Sequence, residues 1–180
     1  MRNSLLCLMV LITGLISAQT TKKQGPVITN YGPTSAVEDP DFIMDMETEY
    51  KVIFDVTTSS ESKPDQVNKG LETAARFLNM HVGAGKDPKT LKPVMIVHGG
   101  ASYGLLKNDF YKEKYGVDNP NIGLIEELDK AGVDIYICGQ TAAHRDIGEE
   151  KRLKEIKLAL SAMTVLIELQ QQGFAVITLK

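Results

Sequence analysis

The 180-residue chain carries 20 Lys and Arg against 23 Asp and Glu, a formal charge of −3, with 43% hydrophobic residues. That length and apolar content suit one compact domain and exclude disorder along the whole chain. Without a basic surplus nothing favours a nucleic-acid backbone or an anionic bilayer as partner, and the absence of Trp with only 6% aromatic residues argues against stacking on bases.

Met1-Arg2-Asn3 precedes an apolar run over residues 5–16, which ends in Ser17-Ala18 before the polar Gln19-Thr20-Thr21-Lys22-Lys23. This is the layout of a secretory signal peptide, and the run is about half of the roughly 20 residues a spanning helix needs. Cleavage after Ala18 is expected, giving a periplasmic or secreted chain with no remaining membrane attachment. Cys7 leaves with the signal, so Cys138 becomes the only cysteine. No internal disulfide is then available, and stability has to come from the core. The lone thiol is buried and inert, paired with another chain, or kept for its reactivity.

Residues 19–49 contain Gly25, Pro26, Gly32, Pro33 and Pro40 without a sustained period, and read as an extended arm. Its Pro26-Val27-Ile28 and Tyr31 lie either on the folded body or on a neighbouring subunit. Residues 50–180 form the domain. Val52, Phe54 and Val56 on one face and Ile53 opposite predict a strand covered on both sides. Val67, Leu71, Ala74, Leu78 and Val82 then recur at helical spacing, closed by Gly83 and Gly85. A short strand over 94–97 ends at His98-Gly99-Gly100, followed by a loop or short helix through Tyr115. Asn119-Pro120-Asn121 starts a second helix with Ile122, Ile125, Leu128 and Ala131 inward, stopping at Gly132. Residues 133–138 are again strand, and Gly139-Gln140-Thr141 turns into a short helical or irregular stretch. A long helix is expected over 149–172, apolar almost all round its middle, with a final strand over 174–179. Strands alternating with helices predict an α/β fold, a mainly parallel sheet with helices on both faces.

In such sheets ligands gather at the carboxyl ends of the strands. Val97 leads there to His98-Gly99-Gly100, and Ile137 leads to Cys138-Gly139-Gln140-Thr141. Cys138 stands out, because a strand end before a helical turn combines partial exposure with a dipole that favours thiolate. The alternative is a small packing residue, since free cysteine is commonly buried. His98 would help ionise the thiol or orient a ligand, or else be a satisfied polar residue at a strand end; Arg145 would set a positive charge near a sulfur anion, or else be an ordinary helix-surface residue; and Gln140 would bond a ligand or tie down the turn. Gly99 and Gly100 allow a close backbone approach. Neither a G-x-G-x-x-G nor a phosphate-loop motif follows a strand, and no G-x-S-x-G elbow accompanies His98-Gly99-Gly100. His81, His98 and His144 lack paired metal-ligand spacing, so neither cofactor nor metal is expected.

The ordered set Tyr50-Lys51-Val52-Ile53-Phe54-Asp55-Val56, Leu78-Asn79-Met80-His81, Val97-His98-Gly99, Asn119-Pro120-Asn121, Ile137-Cys138-Gly139-Gln140 and residues 169–176 resembles the DsrE/DsrF-like family of sulfur-relay proteins. The resemblance implies a flavodoxin-like α/β sandwich assembled as a homotrimer or homohexamer. It also implies a sulfur carrier or sulfurtransferase that holds sulfane sulfur as a persulfide on Cys138, with a small molecule or protein as donor or acceptor. Two other functions compete with it. One is a noncatalytic oligomeric module binding a small molecule or protein, motivated by the apolar stretch over 158–169, in which Cys138 is packing. The other is a thiol-dependent hydrolase, which requires a base touching Cys138.

Overall fold

The computed structural model describes residues 25–59 and 62–179. The expected signal segment lies outside the described residues. Among the described residues five strands, β1 (Tyr50–Val56), β2 (Leu91–Val97), β3 (Asp134–Cys138), β4 (Ile156–Ala159) and β5 (Ala175–Leu179), form one sheet in the order β4-β3-β2-β1-β5. Every pairing is parallel. The central strands read as near-continuous apolar runs because both their faces are covered.

The chain steps from β1 to β4 in one direction and therefore lays its crossovers on one face. Those crossovers are α1 (Lys69–Gly83), α2 (Asn108–Tyr115), α3 (Ile122–Lys130) and α4 (Gly139–His144). Asn68 caps α1 by accepting the N–H groups of Gly70 and Leu71, which satisfies two of the donors a helix start leaves free. Leu71, Ala74 and Leu78 then pack against Val52, Phe54, Met95 and Ile135 in the main core. Between β4 and β5 the chain crosses back past β1, and its helix α5 (Ala162–Gln171) takes the opposite face. There Ile53, Ile96, Cys138 and Ala162 form a second, smaller core with Val165, Leu166 and Leu169 of α5.

From Gly25 onward the arm contacts the protein's own body. Ile28 is 1% exposed and belongs to the main core. The Asn79 side chain, fully buried on α1, accepts the N–H groups of Val27 and Ile28 and donates to the carbonyls of Ile28, Tyr31 and Gly32. One amide thus bonds five backbone groups of a bent segment that lies outside the sheet.

The helix expected over 149–172 is not continuous. Residues 156–159 are the edge strand β4, and only Ala162–Gln171 is helical. Ser161 separates the two by capping α5, its hydroxyl accepting the N–H of Thr164. A short strand running into a helix within one apolar stretch gives no change of period to mark the joint. The stretch apolar on all sides is thus an outward strand edge followed by a half-covered helix. Leu158, Leu160, Met163 and Ile167 are its exposed side chains.

Candidate functional site

Cys138 is the last residue of β3 and the N-cap of α4, with extended backbone (φ −63°, ψ 119°). Strand alternation sends Ile137 into the main core and Cys138 to the α5 face, beside Ile53, Ile96 and Ala162. The thiol is 6% exposed, so the partial exposure expected from its strand-end position is not what the fold produces. α5, supplied by residues more than twenty positions downstream, covers it.

The cover is polar where it meets the sulfur. The neutral thiol makes no capping hydrogen bond. The backbone N–H groups of Thr141, Ala162 and Gln140 and the Thr141 hydroxyl nevertheless lie close enough to Sγ to favour its anion. Burial pushes the thiol pKa up, and these donors together outweigh burial and bring it below the ordinary thiol value. Two helix starts, those of α4 and α5, therefore converge on one sulfur atom. Their N–H groups are the orphan donors that every helix leaves at its first turn.

The loops around this nest are tied together. Gly99 donates its N–H to Thr141 Oγ1 at 3.4 Å, joining the loop after β2 to the one after β3. Gln140 Nε2 donates to the Leu160 carbonyl at 3.3 Å and holds α4 against the turn that enters α5. Gly139 sits under that turn: a Cβ there would meet the Ala159 carbonyl oxygen at 2.5 Å and that of Leu160 at 3.0 Å. Gly100 is pressed against a different loop, where a Cβ would come within 2.6 Å of the Ser59 side chain.

His98 follows β2 as Cys138 ends β3, and the last register pair, Val97 with Ile137, makes the two residues lateral neighbours. Its Nε2 bonds Asp55 Oδ1 at 2.8 Å. That ring nitrogen is thus directed to β1, on the side of β2 away from the thiol. Asp55 also accepts the Thr178 hydroxyl at 3.3 Å. Arg145 stands apart, its guanidinium 4.8 Å from the Tyr103 ring centroid. It lines a surface hollow with Phe110 and Lys114 rather than facing the sulfur. The fold therefore joins Cys138 and Gly99 through Thr141, ties Gln140 to Leu160 beside them, sets His98 alongside, and leaves Arg145 and Gly100 to other contacts.

Sequence reasoning did not assign Thr141, Ala162 or Asp55. Thr141 has a local signal, because three residues after an N-cap is where a helix N–H turns back to the cap side chain. Ala162 and Asp55 have none, since tertiary pairing alone brings them in. A cavity of about 500 Å³ opens at the ends of β1 and β5, lined by Thr58, Lys63, Lys69, Arg76 and Thr178. Cys138 is not among its lining residues. Among the described residues no group of three or more His, Cys, Asp or Glu side chains converges on a metal position, and no helix is long and apolar enough to cross a membrane.

A family model, that of the DsrE/DsrF-like family, matches residues 51–179. The chain belongs to the DsrE/DsrF-like family. The match begins one residue inside β1 and ends with β5, so this DsrE/DsrF-like domain includes the whole sheet and leaves out the arm. Among solved structures, the chain is similar to a protein of unknown function, MTH1491 from Methanobacterium thermoautotrophicum. The two share 15% identity at a TM-score of 0.55, over 72% of this chain and 99% of the other. That likeness supports the flavodoxin-like α/β fold. No curated protein matches the chain.

Proposed function

We propose that this DsrE/DsrF-like protein is a sulfur-relay carrier that takes a sulfane sulfur onto Cys138 as a persulfide and passes it to an acceptor. The carrying observation is the convergence of the α4 and α5 starts on Sγ, which favours thiolate in a nearly buried position. Thiolate is the attacking species in exchange at sulfur, and membership of the family supports the same chemistry. With thiosulfate as donor, the thiolate bonds the outer sulfur, the S–S bond of thiosulfate breaks, and sulfite departs with the electron pair. The same N–H groups then face the persulfide anion.

The test is incubation of the intact protein with polysulfide or thiosulfate followed by mass analysis, with Cys138→Ser as control. One added sulfur on the wild type, absent from the variant and removed by dithiothreitol, is the expected result. No adduct on Cys138 overturns the proposal.

One observation favours self-association of the relay as a homotrimer or homohexamer. Leu160 is 73% exposed, Met163 69% and Ile167 55%, side by side at the sheet edge and on the outer face of α5. Contiguous apolar surface of this kind is characteristic of an interface. The noncatalytic module uses the same surface but gives Cys138 a packing role only, and the sulfur-loading experiment separates the two. For a thiol hydrolase, the donors that set the sulfur's ionisation are N–H and O–H groups, not a base.

A further inference from the structure

We propose that the hollow beside Tyr103 binds a small organic anion, a carboxylate or phosphate group on a flat or apolar body, held between Arg145 and Lys114. The inference is separate from the relay reading and stands whether or not Cys138 carries sulfur.

The hollow has a volume of about 330 Å³, within the range of small-molecule pockets. Tyr103 comes from the helical turn Gly99–Leu105 that follows β2, while Phe110 and Lys114 come from one face of α2, four residues apart. Arg145 is the C-cap of α4. Asp146 after it takes the left-handed conformation (φ 54°), which Asp tolerates, and the chain turns there to send Ile147 into the main core. Leu106 and Ile147 are buried lining residues, so the floor is apolar. The two sides are tied to one another: Lys107 gives its N–H to the Lys151 carbonyl at 2.8 Å, and Leu153 gives its own to the Leu105 carbonyl at 3.0 Å.

Charge is segregated within this hollow. Lys114 Nζ stands 4.1 Å and the Arg145 guanidinium 4.8 Å from the centroid of the same Tyr103 ring. Among the described residues neither side chain enters an ion pair or donates a hydrogen bond. The acids that line the hollow are engaged on its other side, where Asp146 bonds the Lys151 ammonium and Glu113 acts on the same group.

A ring face attracts one exposed cation by about 0.5–1 kcal/mol, and the repulsion between two like charges gathered on one ring works against it. An anion between them replaces that repulsion with attraction. It also takes up their N–H donors, the planar guanidinium offering a two-pronged contact that suits a carboxylate or a phosphate. The apolar floor and the Phe110 ring accept the rest of the molecule, which an inorganic ion lacks.

The test is isothermal titration calorimetry of the intact protein with phenyl phosphate, benzoate, inorganic phosphate and phenol. The two organic anions bind one to one, inorganic phosphate binds at least about ten-fold more weakly, and phenol gives no binding heat. Arg145→Gln and Lys114→Gln each weaken phenyl phosphate about ten-fold. Lys63→Gln, in the cavity at the ends of β1 and β5, leaves its affinity unchanged. No binding heat from either organic anion at millimolar concentration overturns the inference. So does equal affinity for phenyl phosphate and inorganic phosphate, which marks a diffuse ion cloud, and so does binding that Lys63→Gln weakens while Arg145→Gln and Lys114→Gln do not. The Lys114 side chain is exposed, so its variant keeps the fold and decides alone should Arg145→Gln not fold.

Discussion

Gly99 gives its backbone N–H to the hydroxyl of Thr141, and that same hydroxyl helps hold the sulfur of Cys138. Thr141→Val removes the side-chain donor while leaving the N–H groups in place. The thiol pKa then rises toward its ordinary value, and iodoacetamide labelling at neutral pH slows several-fold. At a pH where both thiols are fully ionised the two rates converge. The sign also fixes a stability effect. A thiol whose pKa is lower in the folded protein contributes stability above the unfolded thiol's range, and loses it as pH falls through the folded value. The stability difference between wild type and Cys138→Ala is therefore larger at alkaline than at neutral pH, as urea unfolding at the two pH values measures.

Gly139→Ala forces a methyl group against two carbonyl oxygens of the β4–α5 turn, at 2.5 and 3.0 Å before relaxation. Backbone cannot swing aside as a flexible side chain does. A loss of about 1–3 kcal/mol is expected, read as a lowered thermal midpoint with an unchanged far-ultraviolet spectrum at room temperature.

Much of this fold is legible in the sequence, and what is not has a physical pattern. Val52, Phe54 and Val56 announce β1 because a covered strand needs apolar groups on alternating positions, and Leu71, Ala74 and Leu78 announce α1 for the corresponding helical reason. Strand β4 is hidden because Ile156 to Ala159 and the helix after Ser161 are both apolar and both short. Ser161 itself was the available signal, as a capping residue inside an apparent helix. The strand-end place of Cys138 follows from chain order alone. Its burial does not, since α5 reaches it only through the long return across the sheet. Asp55 reads as one polar residue in an apolar strand until β2 and β5 bring His98 and Thr178 to it.

Asn79→Leu deprives five arm groups of their partner at one stroke. Stability falls by about 1–3 kcal/mol, and limited chymotrypsin digestion cuts at Tyr31 or Phe42 well before the domain. Residues 50–179 keep their sheet, as circular dichroism of the variant shows.

Met163→Glu sets a charge in the middle of the exposed apolar surface of α5. If the proposed self-association holds, sedimentation velocity is expected to find the wild type as a trimer or hexamer and the variant as a monomer. Because Met163 is 69% exposed, the substitution leaves the unfolding free energy of the isolated subunit within about 0.5 kcal/mol of the wild type.

The ten residues of α5, with Phe174 just beyond them, shield the smaller core, whereas α1 to α4 share the larger one. Regions with few apolar contacts open at a fraction of the free energy of global unfolding. Lifting this one lid uncovers the sulfur to a bulky visitor while the opposite side of the sheet stays shut, and the N–H groups that steady the anion divide between the part that lifts and the part that stays.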